Sequence, residues 1–123
     1  MLGNEAQACE QVKVINTVSA ANTAAATSGW IDVRKYEGDL LFLQHIGAVT
    51  GSITGKIQDA DDSSGTNSAD VTGATATAVS SANDAQKIVV PASSVRGWVR
   101  YVGTIVTGPA LTSVQLLARP KYV

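Results

Sequence analysis

Six residues in the middle of the chain have the spacing of a cation loop. Asp59, Asp61, Ser63, Gly65, Asn67 and Asp70 fall at positions 1, 3, 5, 7, 9 and 12 of a twelve-residue window. In a calcium loop that spacing lets carboxylate and carbonyl oxygens wrap a hard cation. Three features oppose it here. Ser64 stands at position 6, where the sharp turn takes glycine, and Asp70 stands where a bidentate glutamate is usual. The flanking sequence also has the pattern of strands, where a calcium loop has helices. The window reads first as a solvated hairpin loop and second as a weak calcium candidate.

Other chemistry is starved of parts. The one histidine, His45, lies in the most apolar stretch, where a hydrogen-bonded core or interface residue is expected before a general base. Cys9 is alone, so no intrachain disulfide forms. A carboxylate pair for glycoside hydrolysis would have to come from Asp59, Asp61 or Asp62, with no aromatic residue close by in sequence. Nucleophile-elbow, phosphate-loop and dinucleotide fingerprints do not occur. Cys and His are too few for a zinc site. The expectation is a protein with no catalytic residues and no cofactor. Trp30 and Trp98 have the bulk for a sugar-stacking platform. Each adjoins a glycine at a strand start, which favours core packing or burial in a subunit interface.

Charge narrows the partners. The net charge is −1, and the nine Lys and Arg are scattered from Lys13 to Lys121. Direct phosphate binding needs such residues clustered on one face, so no nucleic acid partner is expected. Charged residues make up 15%, against about 25% in ordinary soluble domains. So sparse a charge leaves a surface open to association. No apolar run approaches the roughly 20 residues of a membrane-spanning helix. Met1 to Glu10 lack the basic start and apolar core of a secretory signal, which sets the expectation of synthesis in a cytoplasm.

The elements that must hold these residues are strands. Val12, Val14, Ile15 and Val18 suit a first strand, and the Ala-, Ser- and Thr-rich stretch to Ser28 an extended arm, with a short helix over Asn4–Gln11 compatible with its Ala, Glu and Gln. Residues 29–123 then form one domain. Trp30, Ile31 and Val33 make a short strand that a polar turn at Lys35–Asp39 stops. Leu40–Ile46 is apolar on both pleat faces, as in a central strand covered on both sides. Ser52–Gln58 alternates, Ile53 and Ile57 sharing one face. Val71–Val79, Lys87–Val90, Trp98–Val106 and Ser113–Ala118 follow, with Val99, Tyr101 and Ile105 on one face of their strand and Trp98, Val102 and Val106 on the other. The triplets Val49-Thr50-Gly51, Ile53-Thr54-Gly55, Val71-Thr72-Gly73 and Val106-Thr107-Gly108 read as strands leaving a sheet through a turn. Seven or eight short strands with no helical period predict an all-β, antiparallel sandwich, jelly-roll-like.

Several stretches resemble the small virion proteins of tailed phages. They are Met1–Ala6, Gly29–Val33, Tyr36–Leu40, Gly47–Ala60, Arg100–Thr104, Thr107-Gly108-Pro109 and Leu117–Val123. The resemblance spans most of the chain and consists of framework residues, so it carries over no defined contact site. It implies a head decoration or cement protein: a homotrimer on the capsid surface that binds the major capsid protein and braces neighbouring capsomers. Under that implication the contact residues expected are Val12, Val14, Ile15 and Val18 in the arm, with Trp98 and Tyr101. The rivals are a tail or head–tail joining protein and, further off, a carbohydrate-binding sandwich module.

Overall fold

Strict alternation of buried and open side chains along the long strands sets the architecture. In the computed structural model the residues described are 10–20, 25–80, 84–106 and 110–120. They form nine strands: β1 (Glu10–Ala20), β2 (Ala25–Thr27), β3 (Ile31–Asp32), β4 (Tyr36–Val49), β5 (Ser52–Ala60), β6 (Ala69–Thr75), β7 (Asp84–Pro91), β8 (Trp98–Val106) and β9 (Ala110–Pro120). A single 3-10 turn at Ala92–Ser94 follows β7, and no α-helix occurs among the described residues.

The strands make two antiparallel sheets. One has the order β1-β9-β4-β7 and the other β2-β8-β5-β6, with β3 also on β8. Because β2 and β3 both pair with β8, they act as one broken strand, and the chain then counts as eight. First pairs with last (β1·β9), second with seventh (β2 and β3 with β8), third with sixth (β4·β7) and fourth with fifth (β5·β6). Nested pairs of this kind, rolled so that β9 also meets β4 and β8 also meets β5, are a jelly roll.

The core lies between the sheets. β4 contributes Leu40, Phe42 and Ile46, β7 Ile88 and Val90, β9 Val114, Leu116 and Ala118, and the opposite sheet Ile53, Ile57, Val99, Tyr101 and Ile105. At its centre the Tyr101 hydroxyl donates a hydrogen bond to Gln44 Oε1, joining the two sheets, and both residues are fully buried. Gly55 and Gly103, which face each other in register, leave the space for that contact. A Cβ on Gly55 would stand 2.0 Å from Gln44 Oε1 and 2.6 Å from the Tyr101 ring. One on Gly103 would stand 2.9 Å from Ile53. Gln44 Nε2 and Thr112 Oγ1, diagonal neighbours on the inner face, have no hydrogen-bond partner among the described residues.

Several local expectations are corrected. Tyr101 belongs to the core and is no interface residue. The turn before β4 occupies Arg34 and Lys35 alone; β4 starts at Tyr36 and absorbs Gly38 (φ 72°) at a register shift. Gly55 and Gly73 stand inside strands, so only Val49-Thr50-Gly51 is a triplet seen leaving its sheet through a turn among the described residues. The first strand expected around Val12–Val18 is β1, which pairs with β9 and runs on through Ser19 and Ala20 into the stretch expected as an arm, where Ala25–Thr27 also pairs with β8. Glu10 and Gln11 are strand, which removes the end of the expected helix; its earlier residues lie outside the described ones.

Overpacking at the Gly55 site should be costly. Gly55→Ala is expected to lower stability by about 1–3 kcal/mol, and Tyr101→Phe by about 1–2 kcal/mol through the lost hydrogen bond, read from urea or thermal melts. Burial also pushes the Tyr101 phenol above its ordinary 10.0, and the Tyr36 phenol the same way. Their stabilising contribution is complete below pH 10 and is lost as pH rises, because the unfolded chain releases those protons first. Melts between pH 8 and 11 should show stability falling above pH 10, with a shallower fall in Tyr101→Phe.

Candidate functional site

The cation window is dismantled by strand pairing. β5 runs through Asp59 and Ala60, which face Val99 and Trp98, so Asp59 is buried at the strand end. There it accepts hydrogen bonds from Arg96: backbone N at 3.1 Å, Nε at 3.3 Å and Nη2 at 3.0 Å. Asp70 sits in β6 and turns to Gln58 Nε2 (2.8 Å) and Lys56 Nζ (3.2 Å), with the Gln58 hydrogen bond the main cause that lowers its pKa. The first and last oxygens of the supposed calcium shell are thus bound to cations and amides of the protein itself. Among the described residues no group of three His, Cys, Asp or Glu is placed to hold a metal.

What remains of the loop is folded onto the sheet. Asp62 accepts from Ser64 N (2.9 Å), Thr66 N (3.1 Å) and Thr66 Oγ1 (2.7 Å), and the Thr66 hydroxyl is the main cause that lowers its pKa. Arg96 also reaches Asp61 Oδ1 (3.3 Å) and donates to the Asn67 carbonyl oxygen (2.5 Å), so one guanidinium clasps both ends of the turn. Gly65, at φ 81°, lies so close to the Trp30 indole that a Cβ there would stand 2.8 Å from Nε1. Asp61–Ser64 and Thr66–Ser68 are exposed to solvent, and Gly65 is half-buried against Trp30.

Beside it, the outward face of β8 carries the most distinctive side-chain arrangement of the molecule. With Tyr101 turned inward, Trp98, Arg100 and Val102 point out. The Arg34 guanidinium lies over the Trp98 ring at 5.5 Å, and the Arg100 guanidinium over the Trp30 ring at 4.5 Å. Each stack is held from the side. Arg34 donates to both oxygens of Asp32 (3.0 and 2.8 Å), and that contact holds the Asp32 carboxyl at about 2. Arg100 Nε donates to Gln58 Oε1 (3.0 Å), which hands on to Asp70 and Lys56. The two terminal nitrogens of Arg100 make no hydrogen bond or ion pair among the described residues. A guanidinium fixed by an indole and an amide, with both outer nitrogens open, is preorganised to take a carboxylate or carbonyl of a partner.

The remaining expected residues divide. Val12 and Val14 are half-buried and pack against the core, while the side chains of Ile15 and Val18 lie outside the described residues, as does Cys9. His45 is exposed on the outward face of β4, and its ring makes no hydrogen bond among the described residues. Trp98 is half-buried on the outward face of β8. A shallow depression of about 250 Å³ between Arg34, Tyr36 and Arg96 offers no free charge, since Asp32 occupies one arginine and Asp59 and Asp61 the other. Beyond the i, i+2 spacing of Trp98 and Arg100, nothing local in the sequence marks a site role for Arg34, Arg96 or Arg100. No protein-family model matches the chain, and no curated protein matches it either.

Removing the clasp tests this geometry. Arg96→Ala leaves the buried Asp59 carboxylate short of donors and should cost about 1–3 kcal/mol in a thermal melt. Added calcium should leave the melting temperature of the wild-type protein unchanged; a rise that Asp59→Asn abolishes would restore the cation loop.

Proposed function

We propose that the protein is a non-enzymatic virion component that binds the outside of an assembled phage-type head through the outward face of the five-stranded sheet. Its partner there is the major capsid protein, and its effect is to brace neighbouring capsomers. The observation that carries this reading is the pair of Trp–Arg stacks, Trp98 with Arg34 and Trp30 with Arg100. Tryptophan and arginine are the residue types that dominate protein interfaces, and here both are held in place before any partner arrives.

The jelly roll itself serves capsid proteins and lectins alike, so the fold does not choose between them. The surface favours a protein partner. One face of each indole is taken by a guanidinium, where a sugar-stacking platform needs it open. Copies that bind only the assembled shell stabilise it by mass action, and a stiff two-sheet body with few charges suits that task.

Heads stripped of the protein should rebind it in a sedimentation assay and gain resistance to heat. Trp98→Ala and Arg100→Ala should each weaken rebinding by roughly tenfold or more while leaving the melting temperature of the free protein nearly unchanged. Undiminished rebinding by both variants would move the contact off this face; no rebinding by the wild type would end the reading.

A further inference from the structure

An antiparallel sheet open to water on one side alternates apolar and polar residues. The outward face of the four-stranded sheet departs from that rule. Gln44 turns inward, so Asp39, Leu41, Leu43 and His45 turn out along β4. Register sets Val89 of β7 and Leu117 of β9 on either side of Leu41. The result is a row of three large aliphatic side chains across three strands, with Leu43 next to it. Val89 is 44% exposed and His45 is exposed, while Leu41, Leu43 and Leu117 are half-buried among their strand neighbours.

Two charges unpaired among the described residues flank that row, while Arg119, two residues beyond Leu117 on β9, is taken up by Glu37 at 3.6 Å. Asp39 stands two residues before Leu41 on β4. Lys87 of β7 is paired with Leu43, on the far side of the row and about 13 Å along the strand direction from Asp39. Neither makes an ion pair among the described residues. Lay a second copy face to face on the first, turned about a two-fold axis running along Val89, Leu41 and Leu117. Leu41 then meets Leu41, and Asp39 of each copy comes beside Lys87 of the other, twice over. A surface complementary to itself in this way is what a two-fold contact requires.

We propose that the outward face of the four-stranded sheet is where two copies of this chain associate, with the Val89–Leu41–Leu117 row packed against its own image and Asp39 paired to Lys87 across the contact. Sheets packed face to face stand about 10 Å apart, a gap these side chains fill from both sides. The pairing leaves the Trp–Arg face of the other sheet free, so it stands whether or not that face binds a shell. It also differs from the three-fold assembly that the resemblance implies.

The test is the mass of the full chain in solution, by light scattering or sedimentation over a range of concentrations. The wild type should give two copies, and Leu41→Lys one copy with an unchanged circular dichroism spectrum and melting temperature. Asp39→Lys and Lys87→Asp should each weaken pairing by roughly tenfold. An equimolar mixture of those two variants should restore it, because each mixed contact then joins a lysine to an aspartate. A one-copy mass for the wild type at every concentration overturns the proposal, as does a three-copy mass. So does a two-copy mass that Leu41→Lys leaves unaltered. Shell rebinding is measured separately on the Leu41→Lys protein, so loss of pairing and loss of shell binding are distinguishable.

Discussion

The contact between Tyr101 and Gln44, set into the gap left by Gly55 and Gly103, constrains more of the molecule than any other. It ties a central strand of one sheet to a central strand of the other. Its polar chemistry contributes only modestly to stability, since Gln44 Nε2 has no partner among the described residues. Its effect on register is larger. A slip of one residue in β5 or β8 would bring a side chain into the gap and move every core residue of that strand to the solvent side. Because alternation has period two, fixing Tyr101 inward also fixes Trp98 and Arg100 outward, and fixing Gln44 inward fixes Leu41 and Leu43 outward.

Two unlike surfaces follow from that one constraint. On the five-stranded sheet, guanidinium groups lie on indoles and are tied sideways to Asp32 and Gln58, which removes much of the entropy a partner would otherwise have to freeze. On the four-stranded sheet, aliphatic side chains occupy positions that water usually claims. Surface ion pairs contribute little to holding either sheet together. The Arg96–Asp59 contact is the exception, because Asp59 is buried and the clasp keeps the β5–β6 loop against Trp30.

Much of the fold was legible in the alternation of residues, and the reasons for the failures are tertiary. Val99, Tyr101 and Ile105 share one face of their strand as expected, as do Ile53 and Ile57, and the structure turns that face to the core. Leu40–Ile46 does have large apolar side chains on both faces, yet among the described residues only one face is covered. Tyr101 reads as an interface residue in sequence because nothing local announces the recess that holds it; the glycines responsible lie 46 residues before it and two after it. Asp59 and Asp70 look like loop carboxylates because aspartate is rare in strands. A guanidinium 37 residues away makes the first of them a strand residue, and no local pattern encodes that meeting.

The most direct test of the account is a cryo-electron-microscopy reconstruction of stripped heads re-saturated with the protein. The account predicts added density on the outer surface, with the five-stranded sheet toward the shell and Trp98 and Arg100 against the capsid protein. Shells that carry no added density, or density in which that sheet faces away from the shell, would contradict it.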